Sequence, residues 1–160
     1  DKDGIDTPER DPIRLSPLTQ KPIVVPREFA GGFDQITGIQ TNPALGESIG
    51  RLYTATFGRF PDLSGLLSWF DVLNNGLTSI NAVCQQFIAS PEFQARYGPE
   101  ISNETFINNM YMNVLGRPAD AGGFAYWTSL MNEQGVPRAD VLLGFANSAE
   151  NVFLFDSLIS

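Results

Sequence analysis

Residues Leu52–Phe70 read LYTATFGRFPDLSGLLSWF, and residues Met110–Trp127 read MYMNVLGRPADAGGFAYW. At a constant offset of 58 residues, Tyr53 meets Tyr111, Gly58 meets Gly116, Arg59 meets Arg117 and Asp62 meets Asp120. Gly65 then meets Gly123 and Trp69 meets Trp127. The register holds further on, with Val83 on Val141, Phe87 on Phe145, Ser90 on Ser148 and Glu92 on Glu150. Coincidence of two tryptophans, two Gly-Arg steps and two aspartates at one offset points to a duplicated unit. The glycine that follows the tryptophan helix shifts by one residue, from Gly76 to Gly135.

Around these stretches the apolar period is helical. Ile49, Leu52, Tyr53, Thr56 and Phe57 follow the i, i+3, i+4, i+7 spacing of one buried helix face. Leu66, Trp69, Phe70 and Leu73 form a second face, and Ile80, Val83, Cys84, Phe87 and Ile88 a third. Ser90-Pro91-Glu92 places a capping hydroxyl before a proline at the first helical position, which opens a short fourth helix through Tyr97. The series then repeats. Phe106, Ile107, Met110, Tyr111, Val114 and Leu115 share one face; Phe124, Trp127, Leu130 and Met131 share the next. Val141, Leu142, Phe145 and Ala146 follow, and Ser148 caps a last helix with Val152, Phe153 and Leu158. The expected fold is all-α: two tandem repeats of a three-to-four-helix unit, about 45–100 and 101–160, packed together.

Residues 1–44 break the pattern. Pro8, Pro12, Pro17, Pro22, Pro26 and Pro43 crowd this stretch, and Gly31-Gly32 and Gly38 mark turns. It reads as an irregular Pro/Gly-rich linker with a short strand at Ile23-Val24-Val25 and with Phe29 and Phe33 available to pack on the helices. Asp1, Asp3, Asp6 and Glu9 surround a glycine turn, the pattern of a calcium loop cut short on its upstream side, against the plainer reading of an acidic solvated linker. The start reads as a cut inside a longer chain, without a basic-then-apolar leader.

Composition narrows the function classes. Net charge is −8, with 10 basic and 18 acidic residues, so phosphate backbones and anionic membrane surfaces repel the chain. No apolar run reaches the roughly 20 residues needed to span a bilayer. There is no histidine and one cysteine, Cys84, which removes histidine-based triads, most zinc sites and an internal disulfide. An enzyme built from these residues would need a carboxylate pair or a bound metal. Glu92 and Glu150 are the repeated carboxylates, but helix starts favour negative charge without any catalysis.

The repeated residues have structural uses. Each glycine stops a helix, each arginine can bond the free carbonyls there or pair with the aspartate three residues on, and each tryptophan fills the core. The functional alternative makes Arg59, Asp62 and Trp69 one ligand pocket and Arg117, Asp120 and Trp127 a second, since arginine beside an aromatic suits carboxylate or sugar ligands.

The two stretches quoted above, with FIASPEFQARYG at Phe87–Gly98 and VLLGFANSAEN at Val141–Asn151, resemble the domain of unknown function 4214 family over roughly residues 45–155. Its pattern is leucine-tyrosine, leucine-Gly-Arg, proline-Asp, glycine, tyrosine-tryptophan and a phenylalanine-plus-serine-x-glutamate step. Phe57, Ser68 and Ala119 depart from it. A more distant resemblance is to the helical linker domains of phycobilisomes, which share an aromatic-Gly-Arg-x-Pro step. The resemblance implies a bacterial secreted or cell-surface protein, often beside calcium-binding repeats. It also implies a non-catalytic module that binds a surface glycan or a protein partner. The alternatives are an assembly domain that makes protein–protein contacts without a small ligand, and an accessory domain of an extracellular enzyme.

Overall fold

The computed structural model describes residues 15–16, 21–98 and 100–160. Apart from a two-residue antiparallel ladder, β1 (Leu15–Ser16) on β2 (Lys21–Pro22), the regular secondary structure of the described residues is helical. The helices are α1 (Pro43–Phe57), α2 (Leu63–Asn74), α3 (Ile80–Ile88), α4 (Pro91–Tyr97), α5 (Asn103–Met110), α6 (Ala121–Gln134), α7 (Arg138–Ala146) and α8 (Ala149–Ile159). A π-helical turn, Tyr111–Leu115, extends α5.

Local chemistry sets most boundaries. Asn42, Ser79, Ser90, Ser102 and Ser148 each accept a backbone N–H of the first turn of α1, α3, α4, α5 and α8. Pro43 and Pro91 open α1 and α4, where no N–H is needed. Gly58 and Gly116 close the two long helices with φ of 71° and 72°, the left-handed turn that a side chain disfavours.

The core lies where α1, α3, α7 and the π turn meet. The α3 helix packs along α7, α1 packs on α2 and α7, and α5 packs on α6. Ile49, Leu52, Val83, Cys84, Phe106, Ile107, Met110, Val114, Val141 and Leu142 are fully buried there. At one fully buried polar contact, the Asn113 amide on the π turn donates to the Tyr97 hydroxyl at 2.7 Å. Burial pushes the Tyr97 phenol up to about 12.

Three expectations meet the structure differently. Ile23-Val24-Val25 is not a strand; the ladder lies just upstream. Within residues 23–42, Phe29 and Phe33, expected to be available to pack on the helices, are buried, and Ile23, Ile36 and Ile39 are buried with them. On α8 the buried positions are Asn151, Phe155 and Ile159, whereas Phe153 is 71% exposed. The run Val152-Phe153-Leu154-Phe155 has no helical period of its own, so burial is decided by what α8 meets rather than by the run.

Candidate functional site

The repeated motif residues build two similar clusters at opposite ends of the sequence. Arg59 follows α1 and reaches Glu92 on α4, with Nε to Oε2 at 3.0 Å and Nη2 to Oε1 at 2.8 Å. Arg117 follows the π turn and reaches Glu150 on α8, with both bonds at 2.9 Å. Each pair is the two-pronged guanidinium–carboxylate geometry. The remaining prong donates to the carbonyl of the next residue, Phe60 at 3.1 Å and Pro118 at 3.3 Å. The guanidinium planes also lie over aromatic rings: Arg59 is 5.4 Å from Tyr53 and from Phe57, and Arg117 is 5.2 Å from Tyr111.

These bonds fix the charges. The hydrogen bonds from Arg59 and Arg117 hold the Glu92 and Glu150 carboxyls below the usual carboxylate range, and the arginines are raised in return. Each glutamate is committed to its own arginine. The sequence placed these glutamates only as favourable charges at helix starts and missed their partners. The signal was present, because arginine and glutamate repeat together with the same spacing of 33 residues in both halves.

Behind each arginine sits an aromatic triad. Tyr53, Trp69 and Phe87 form the first, with ring centroids at 4.9 Å for Tyr53–Phe87 and 5.8 Å for Trp69–Phe87. Tyr111, Trp127 and Phe145 form the second, with both distances to Phe145 at 5.0 Å. In each triad burial holds the tyrosine hydroxyl above its ordinary pKa. Gly65 and Gly123 sit beneath those hydroxyls. A Cβ on Gly65 would come within 3.1 Å of the Tyr53 oxygen, and one on Gly123 would overlap the Tyr111 oxygen.

The two tryptophans are half-buried rather than fully enclosed, so they bridge core and surface. The two aspartates are exposed and behave differently. Asp120 accepts the Gly123 N–H at 3.0 Å and lies 3.6 Å from Arg117, whereas Asp62 makes no cap bond and takes the Ser64 hydroxyl at 3.0 Å. Arg59, Asp62 and Trp69 are thus brought to one neighbourhood, and Arg117, Asp120 and Trp127 to another. Both arginines bond to the chain itself, Arg59 to Glu92 and the Phe60 carbonyl and Arg117 to Glu150 and the Pro118 carbonyl.

The halves diverge on the outer face of the tryptophan helices. On α2, Leu66 and Phe70 are buried, and Leu67 lies against Gly38. On α6 only Met131 is fully buried, Phe124 and Trp127 are half-buried, and Tyr126 is 60% exposed with its ring 5.3 Å from Trp127. Gly144 on α7 leaves room for the Trp127 ring, since a Cβ there would come within 3.0 Å of it. Tyr126 stands where the first half has Ser68.

Cys84 is buried, and burial pushes its thiol up to about 12. Asn103-Glu104-Thr105 has the form of a glycosylation acceptor, and the Asn103 amide donates to Asn132 at 2.7 Å. The proposed calcium ligands Asp1, Asp3, Asp6 and Glu9 lie outside the described residues. Among the described residues no group of three or more Cys, Asp or Glu side chains is arranged to hold a metal, and no helix is long and apolar enough to cross a membrane.

Comparison with known proteins identifies one segment. Residues 84–155 match the family described as Domain of unknown function (DUF4214). The match starts inside α3 and ends inside α8, so it contains the Arg117–Glu150 cluster whole and only the Glu92 side of the Arg59 cluster. No curated protein and no solved structure matches the chain. Over residues 84–155, a little under half of its length, this chain is similar to the DUF4214 family.

Proposed function

We propose that this chain is a non-catalytic interaction module of a secreted or cell-surface bacterial protein, built from two tandem copies of one helical unit. Its partner, a surface glycan or a protein, docks on the outer face of α6. The observation that carries this reading is Tyr126, 60% exposed at the edge of the half-buried Trp127. An exposed aromatic next to a second one is the surface that a sugar ring or an apolar side chain stacks on. Support for a binding rather than a catalytic role comes from the repeated polar residues. Arg59, Glu92, Arg117 and Glu150 are bonded to one another, and the one thiol is buried.

The recurrence of an arginine–glutamate pair and an aromatic triad at one offset supports the duplication. The secreted setting rests on what the family resemblance implies, and calcium remains a proposal for the Asp-rich start.

A second reading, an assembly domain without a small ligand, is favoured by the other exposed apolar side chains, Val24 at 72%, Leu77 at 74% and Phe153 at 71%. A glycan array run with calcium and again with chelator separates the two. Saturable binding to a defined sugar supports the first reading, and its loss under chelation adds calcium to the site. Absence of binding in both conditions, with concentration-dependent oligomers, favours assembly.

A further inference from the structure

Residues 23–42 cross the helical body as a strap, and they are held in an unusual way. Their backbone bonds run to their own neighbours: Phe29 to Pro26, Gly32 to Phe29, Ile36 to Phe33, Ile39 to Ile36 and Asn42 to Ile39. Among the described residues no backbone hydrogen bond joins the strap to a helix, apart from the cap that Asn42 gives α1. The Gln35 side chain also bonds within the strap, to the Ala30 carbonyl. The strap is therefore a string of self-contained turns.

What attaches it is side-chain burial in a shaped groove. Gly46 and Gly50 lie one turn apart on α1 and open that groove. A Cβ at Gly46 would overlap Ile39, and one at Gly50 would come within 2.9 Å of Phe33 and 2.8 Å of Phe155. Phe29 and Phe33 stack at 4.9 Å and continue onto Phe60 at 5.6 Å from Phe29. Phe155 of α8 closes the stack, 5.8 Å from Phe33 and 5.4 Å from Phe60. Phe29, Phe33 and Ile39 are wholly buried in it.

A segment that keeps its own backbone bonds and docks only through side chains can leave and re-dock without breaking a hydrogen-bond ladder. We propose that the α1–α8 groove accepts the strap of a second copy of this chain, giving a strap-exchanged dimer. Every docking contact of the monomer is reproduced across the dimer, so the exchange is governed by tether and concentration rather than by new contacts. The pivot is the Thr41-Asn42 step before Pro43, where Asn42 has φ −157° and ψ 70° and already leaves the turn geometry of the strap. A tethered segment holds its own groove at an effective concentration on the order of millimolar. Exchange accordingly becomes comparable with self-docking at about that protein concentration.

The test is complementation between two forms of the full chain. Gly46→Leu blocks the groove and leaves the strap intact; Phe33→Asp disables the strap and leaves the groove open. Mixed in equal amounts at about 1 mM, the two should form a heterodimer, read by native mass spectrometry with one form isotope-labelled, while each form alone stays monomeric. Failure of the pair to associate, with both forms folded by circular dichroism, overturns the proposal. Where either variant fails to fold, labelled and unlabelled unmodified chains decide the matter. Mixed dimers that form at that concentration and revert to monomer on dilution uphold exchange, and a purely monomeric chain at that concentration refutes it.

Discussion

Arg59 and Glu92 meet through two parallel N–H···O bonds of 3.0 and 2.8 Å and so tie the end of α1 to the start of α4. The Arg59 and Glu92 side chains are 45% and 31% exposed, so water screens their attraction. Exposed ion pairs of good geometry contribute at most about 1 kcal/mol. A double-mutant cycle with Arg59→Met and Glu92→Gln should give a coupling of about 0.5–1 kcal/mol. The same cycle on Arg117 and Glu150, whose side chains are 41% and 44% exposed, should give a smaller one. Urea denaturation at low and high salt checks this, and a coupling that grows with salt would contradict a screened ion pair.

The pH dependence has two opposing parts. Glu92 and Glu150 are depressed by their arginines, so their contribution is full above the unfolded carboxyl pKa and is lost as pH falls through the lower folded value. Glu47 is raised, first by burial and then by Asp156 and Asp34, against the lowering effect of Arg51. Its stabilising contribution is therefore present below the unfolded value and lost as pH rises through the folded one. Glu47→Gln should raise the melting temperature at pH 7 and lose that gain near pH 4, close to the ordinary glutamate pKa of about 4.3. An equal gain at both values would show that the Glu47 charge is not the cause.

Most of the helical order was legible because the apolar residues of α1, α3, α5 and α7 keep a single period, and serine or proline marks several starts. The Arg–Glu pairs were less so. A closer acid stood three residues from each arginine, and only Asp120 comes within ion-pair distance of its arginine, at 3.6 Å. The strap was legible only at Phe29 and Phe33. Its buried side chains follow successive tight turns, which leave no periodic trace, and Gly31-Gly32 interrupts any helical reading of Phe29 and Phe33. At the aromatic clusters, the sequence identified the tryptophans but not their depth, because α6 has more apolar residues than its packing on α5 can cover.

Replacing glycine by alanine inside a helix ordinarily stabilises it by about 1 kcal/mol. Gly123→Ala should do the reverse, because the new methyl group enters the space held by the Tyr111 hydroxyl. Overpacking of this kind costs about 1–3 kcal/mol. Tyr111→Phe removes the obstructing oxygen, so the double variant should recover much of the loss. Gly65→Ala should be milder, since its methyl group stays 3.1 Å from the Tyr53 oxygen and its nearest contact, at 2.7 Å, is the exposed Asp62 carboxylate, which can turn aside. Thermal melts of the four variants test the ordering, and a stabilising Gly123→Ala would show that the tyrosine moves aside freely.

Tyr126 separates folding from recognition. Its ring is 60% exposed, and the first half carries Ser68 at the same place, so Tyr126→Ser introduces a residue that this fold already tolerates. Surface substitutions away from caps and pairs usually change stability by less than about 0.5 kcal/mol. The variant should melt with the unmodified chain yet lose most of its binding to whatever glycan or protein the chain captures. Trp127→Ala cannot make that distinction, because Trp127 packs on Phe145 and against Gly144, and its loss disturbs the fold as well. Unchanged binding by Tyr126→Ser would remove the outer face of α6 from the recognition surface. Lost binding at unchanged stability would assign recognition to the second half, since the first presents a hydroxymethyl group where the second presents an aromatic ring.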